Sequence, residues 1–184
     1  MHAPSRPGEG KVESISGYFA DLRNWSDLMN KFLAGGGYFA TPPIGTVFSI
    51  QKSMALIRSE TIEARIKRHE VCSQAFKAGI NHLGLEILAC EKLRSNTVTG
   101  VIVDGIDIPV FLQRCMKKGV EFGAGVHPAF RGRYFRVGHM GWVQPVHIIT
   151  ALNVIESSLE EIGKEVGHGS AMAAEEVFSK HPEI

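Results

Sequence analysis

A chain of 184 residues is long enough for one well-packed domain, or one domain with an appended arm, and too short for two large ones. Lys+Arg 20 nearly balances Asp+Glu 19, so a formal charge of +1 supplies no field to draw in nucleic acid or an anionic membrane, and any bound anion must be gripped locally. The three cysteines, Cys72, Cys90 and Cys115, form no CxxC pair; this argues against a zinc ribbon or a redox dithiol and leaves an expectation of buried thiols in a reducing cytosol.

Residues 1–15 read as an irregular arm, because Pro4, Pro7, Gly8 and Gly10 oppose regular structure. The stretch lacks the apolar core of a secretion signal, and no run of about 18 apolar residues follows anywhere, so a cytoplasmic protein is expected. "GEGK" lacks the spacing of a phosphate loop. Residues 16–45 form a second segment: a short strand, a helix capped near Ser26, and the loop "AGGGYFATPPIG" with its glycines and paired prolines.

Residues 46–184 form the main domain. Ile50, Met54 and Ile57 are spaced as on one face of a helix beginning near Thr46. A second stripe, Ile62, Ile66, His69, Ser73, Phe76, Ile80 and Leu83, predicts a helix over 61–83, roughly 33 Å long at 1.5 Å per residue. His69 on that apolar face reads as a core or interface histidine with one nitrogen satisfied. After Gly84 the period becomes that of strands in "LEILAC" and "TVTGVIV". A helix opens near Pro109 and closes at Gly119, "VEFGAG" and "RYFRVGH" are two more strands, and a last helix from about Pro145 carries Ile148, Leu152, Ile155, Leu159 and Ile162. The expected fold is α+β, a small mixed sheet covered on one side by helices.

Few residues announce chemistry by themselves. Arg131 and Arg133 in the Gly-rich stretch 123–133 could make an anion nest, or lie in a solvated hairpin-like loop. His127, His139 and His147 lack the spacing of a metal site on one helix, and no nucleophile elbow is present. Arg136 stands out, set between Phe135 and Val137 in a strand that ends in glycines. At such a rim a guanidinium can take a carboxylate in two parallel hydrogen bonds, or face solvent from an edge strand, and the residues alone leave both open.

Taken in order, "SGYFADLRNW", "GGGYFATPP", "RIKRHEVCSQAFKAGINHLGLEIL", "SNTVTGVIVDGID" and "YFRVGHMG" resemble the second half of a class V pyridoxal-phosphate aminotransferase of the alanine–glyoxylate and serine–pyruvate group. The resemblance implies the C-terminal domain of a fold-type I transferase. It implies that Tyr38 and Thr41, of the Y-x-x-T loop, reach the cofactor phosphate of the other subunit of a dimer, and that Arg136 binds the α-carboxylate of a small amino or 2-oxo acid. The family's cofactor-carrying lysine, the aspartate beneath the pyridine ring and the start of the phosphate site all lie upstream of these motifs, and Lys11 has the wrong context for that lysine. Pyridoxal phosphate is therefore expected in a complete enzyme and not on these residues alone, which would need a separate N-terminal cofactor domain for activity. Other readings are a stand-alone carboxylate-binding module and an oligomerisation domain.

Overall fold

A computed structural model describes residues 18–184, save the side chains of Asn24 and Asp27; the arm 1–15 and Lys11 lie outside the described residues. The chain divides into two compact units, residues 1–55 and 56–184.

In the first unit, residues 18–20 form a turn where a strand is expected, and helix α1 spans Leu22–Ala34. Its cap is Asp21 rather than Ser26: the carboxylate accepts the Arg23 backbone N–H at 3.0 Å, so the helix begins about five residues earlier than a cap near Ser26 implies. Trp25 fixes the turn by donating Nε1–H to the Phe19 carbonyl at 2.8 Å. The loop after α1 is organised by Phe39, whose ring lies 5.0 Å from that of Trp25 and 5.3 Å from that of Tyr18. Helix α2, Ile44–Glu60, starts directly after Pro42 and Pro43 and runs past Ala55 into the second unit, and none of its residues is buried. Ile44, Val47, Phe48, Ile50 and Met54 are each more than half exposed, an apolar surface that no described residue covers.

The second unit holds a single core. Helix α3, Ile62–His82, is capped by Thr61, whose Oγ1 accepts the Ala64 N–H at 3.2 Å. Thr61 sits at φ 70, ψ 155, a region that a β-branched residue enters at a cost of about 1–3 kcal/mol. The neighbouring Glu60 takes ion pairs from Arg65 at 2.9 Å and Arg68 at 2.6 Å, which tie the start of α3 to the end of α2. The apolar stripe of α3 is buried from His69 onward, but Ile62 and Ile66 are 54% and 62% exposed, so the expected stripe is covered only over its C-terminal part.

Four strands, β1 (Glu86–Ile87), β2 (Val98–Ile102), β3 (Gly123–Ala124) and β4 (Tyr134–Gly138), pair antiparallel in the order β1-β2-β4-β3. Helices α4 (Ile108–Lys117), α5 (Pro145–Glu161) and α6 (Ser170–Phe178) complete the unit. The fold is α+β, as the element pattern predicts, but the sheet of the described residues is antiparallel throughout rather than mixed, and β1 and β3 are much shorter than the apolar runs that suggested them. Asp107 caps α4, and Pro109 takes its place in the first turn, where a missing N–H costs nothing. One cluster of Phe76, Ile80, Val101, Phe111, Phe135, Leu152 and Ile155 fills the space between the sheet and its helices.

Helix α6 has no counterpart among the predicted elements. Its N-terminus is capped from a distance: the Glu156 carboxylate of α5 accepts the N–H groups of Gly169 and Ser170, both at 3.0 Å, and the Ser170 hydroxyl at 2.6 Å. Cys72 and Cys115 are buried, and burial pushes both thiols up, whereas Cys90 is exposed, contrary to the expectation for all three. No helix among the described residues is long and apolar enough to cross a membrane.

Candidate functional site

Period-two alternation assigns the two faces of β4. Phe135 and Val137 point into the core opposite Val101 and Thr99, so Arg136 and Tyr134 point to the other face, opposite Gly100 and Ile102. On its second side Arg136 is registered with Gly123 of β3. The arginine is thus flanked across both ladders by glycines. A Cβ on Gly123 would lie 3.3 Å from Arg136 Nη2 and 3.6 Å from Nε, a tight contact, so the guanidinium lies close along a stretch of backbone that a glycine leaves open. Arg136 Nε–H donates to the Ala124 carbonyl at 2.9 Å, and neither Nη has a hydrogen-bond partner among the described residues. One edge of the fork is spent on orientation, and two terminal nitrogens of a half-buried cation remain free.

The segment after β4 is held at both ends. His139 is 1% exposed, with Nε2 2.8 Å from Thr99 Oγ1 and Nδ1 3.1 Å from the Asn96 carbonyl. The carbonyl can only accept, so Nδ1 carries the proton and Nε2 accepts from the threonine hydroxyl. Burial lowers the His139 pKa to about 4 from 6.5, and the neutral ring packs 5.7 Å from that of Phe76. Farther along, Arg68 of α3 donates to the carbonyls of Val143 and Gly141 and lies 5.5 Å from the centre of the Trp142 ring. Its pairing with Glu60 holds that carboxyl below the usual carboxylate range. Both Arg68 and His139 lie within the quoted motifs, yet the carbonyls that Arg68 holds and the partners of His139 are 40 or more residues away and are not visible in the spacing.

His139 supplies a testable pH dependence. Between about pH 6.5 and 4 the unfolded chain binds a proton at this imidazole and the folded chain does not, so stability is fully present above 6.5 and is lost as pH falls toward 4. The full loss is about 3 kcal/mol for a depression of this size. Urea midpoints measured at about pH 7 and about pH 5 should show most of the fall, and His139→Asn should remove it. A wild-type chain equally stable at both pH values would contradict the neutral assignment.

Other sequence candidates are occupied otherwise. Arg133 pairs with Asp104 at 2.7 Å and so is not offered to an anion by the 123–133 loop. His127 Nδ1 accepts the Ala129 N–H, His147 Nδ1 accepts the Gln144 N–H, and His69 Nδ1 is 2.7 Å from the Arg65 carbonyl, as its place on the apolar face suggests. Tyr38 and Thr41 share the loop between α1 and α2 in the first unit, both exposed and both hydroxyls without a partner among the described residues. Arg136 belongs to the second unit.

The chain is 33% identical over 141 residues to an uncharacterized aminotransferase of Methanocaldococcus jannaschii, a match covering 76% of the chain and 37% of the relative. It is also 33% identical to alanine–glyoxylate aminotransferase 1 of Saccharomyces cerevisiae, over 72% of the chain and 35% of that protein. The chain belongs with the class V aminotransferases, as their C-terminal half. The structure of pyridoxamine–pyruvate aminotransferase from Mesorhizobium loti matches this class V chain with a TM-score of 0.72 at 29% identity, covering 77% of the chain and 37% of that structure. The chain therefore spans little more than a third of the length of these relatives. No protein-family model matches it.

Proposed function

We propose that the chain is the substrate-orienting and dimerising domain of a pyridoxal-phosphate aminotransferase that acts on small amino acids and 2-oxo acids, such as alanine or serine with glyoxylate or pyruvate. The observation that carries this reading is the Arg136 guanidinium: aimed by Ala124, given room by Gly123, and left with two unpaired terminal nitrogens. A planar fork of this kind fits a carboxylate by two parallel hydrogen bonds, and every substrate of the proposed class carries one. Arg136 neutralises and orients that group, and so positions the α-carbon for reaction.

Pyridoxal phosphate, when bound, supplies the electron sink for chemistry at that carbon. Tyr38 and Thr41 fit its phosphate in part: two exposed hydroxyls on one short loop, neither of them spent on the protein, can donate to anionic oxygens of the partner subunit's cofactor. In the family the cofactor-carrying lysine precedes the motifs matched here, so residues 1–184 alone are inactive. When the chain is mixed with pyridoxal phosphate and reduced with borohydride, peptide mapping should find only scattered partial labelling of surface lysines. One stoichiometrically labelled lysine would refute the assignment.

The exposed apolar residues of α2 favour self-association, since apolar area gains roughly 25 cal/mol per Å² on burial. Sedimentation of the chain at increasing concentration should show a dimer or larger species. A strict monomer would weaken both the dimerising role and the cross-subunit role of Tyr38 and Thr41.

A further inference from the structure

Arg136 is aimed by a single carbonyl, that of Ala124, and the structure leaves that carbonyl little local support. Strand β3 is two residues long, sits at the sheet edge, and pairs only with β4 through Gly123 to Arg136 and Ala124 to Phe135. Strands this short contribute few ladder bonds, and an edge has no second neighbour to hold it. The chain leaving β3 is instead secured by Tyr134, the residue on the same face of β4 as Arg136 and 3% exposed.

Three contacts of Tyr134 bear on this segment. Its carbonyl accepts the Gly125 N–H at 3.2 Å. Its ring lies flush on Gly125, where a Cβ would stand 2.3 Å from Cε1 and 2.5 Å from Cδ1. Its hydroxyl accepts the N–H groups of both Val126 and His127 at 2.9 Å. Tyr134 thus grips residues 125–127 immediately after the carbonyl that orients the guanidinium, and the "GAG" of 123–125 matches the "YFR" of 134–136: Gly123 makes room for Arg136, and Gly125 for Tyr134.

We propose that Tyr134 is a positioning residue for Arg136: its hydroxyl, by holding the Val126 and His127 amides, fixes the Ala124 carbonyl that aims the guanidinium. The functional consequence rests on the carboxylate reading of Arg136; the structural link does not. A ring without a hydroxyl would still pack on Gly125, and the freed amides belong to exposed residues where water can take them, so loss of the hydroxyl relaxes the segment without emptying the core.

The test is the Arg136 Nε–H signal in the nitrogen-15 spectrum of the full chain, assigned by its absence in Arg136→Lys. In Tyr134→Phe the solvent exchange of this proton should rise about 5- to 10-fold, as for loss of one ordinary hydrogen bond, with its shift moving toward that of exposed arginines. The β2 amides paired with β4 should keep their protection. An unchanged Nε–H signal in a folded Tyr134→Phe chain overturns the proposal. Should that variant fail to fold, His127→Pro decides: φ −73 at His127 suits proline, which deletes one of the two donors at the expense of an exposed cap to Ala129, and an unchanged Nε–H there is equally fatal. The signal needs no substrate, so an Arg136 that handles no carboxylate leaves this outcome intact, and a rigid Nε–H leaves the carboxylate reading intact.

Discussion

Replacing Arg136 by lysine is expected to harm an enzyme containing this chain nearly as much as replacing it by alanine. The guanidinium spends Nε–H on the Ala124 carbonyl and retains two coplanar nitrogens beside Gly123. An ammonium group brings the charge but cannot reproduce an oriented pair of parallel hydrogen bonds while also reaching that carbonyl. Either change should cost roughly 2–5 kcal/mol of transition-state stabilisation, measured as kcat/KM for an amino or 2-oxo acid. Amines without a carboxylate should be much less affected, because they never used the contact. Chain stability should change by less than about 1 kcal/mol, since Arg136 lies on the sheet face away from the core. If Arg136→Ala unfolds the chain while sparing carboxylate turnover, the arginine is structural.

How far this site could be read from the sequence depends on how local its causes are. Arg136 was visible because an arginine between Phe135 and Val137, before a glycine, violates the expectation for a buried strand. Helices α3 and α5 were visible from their three-and-four spacing. The same spacing put Ile62 and Ile66 on an apolar face without revealing that they are exposed, because periodicity identifies a face and not what lies against it. "LEILAC" reads as six strand residues, yet only Glu86 and Ile87 pair, since strand length is set by the partner, here the end of β2. Helix α6 is not legible in the sequence because its cap, Glu156, comes from the preceding helix rather than from its own flank. Tyr134 likewise reads as one more strand residue, its meaning depending on a glycine nine positions upstream.

The largest effect on stability is expected at Arg68. It is 5% exposed, pairs with Glu60 at 2.6 Å, donates to the carbonyls of Gly141 and Val143, and lies near the Trp142 ring. Truncation to alanine leaves two carbonyls without their donor and Glu60 with only Arg65, and breaking a buried pair in this way costs about 3–5 kcal/mol. Arg68→Lys should recover little, because a single ammonium cannot reach three acceptors at once. Urea unfolding provides the measurement, and Trp142 emission in a Trp25→Phe background reports whether the segment after β4 has come loose. The same clamp sets an acid limit. Glu60 is held below its ordinary 4.5, so its contribution is present above that pH and is lost as pH falls below it, through the depressed folded value. In Arg68→Ala this part of the acid sensitivity should shrink, because the group that depresses Glu60 most is gone. An Arg68→Ala chain within about 1 kcal/mol of wild type, with Trp142 emission unchanged, would mean that the α2–α3 junction and the segment following β4 are held by something other than this arginine.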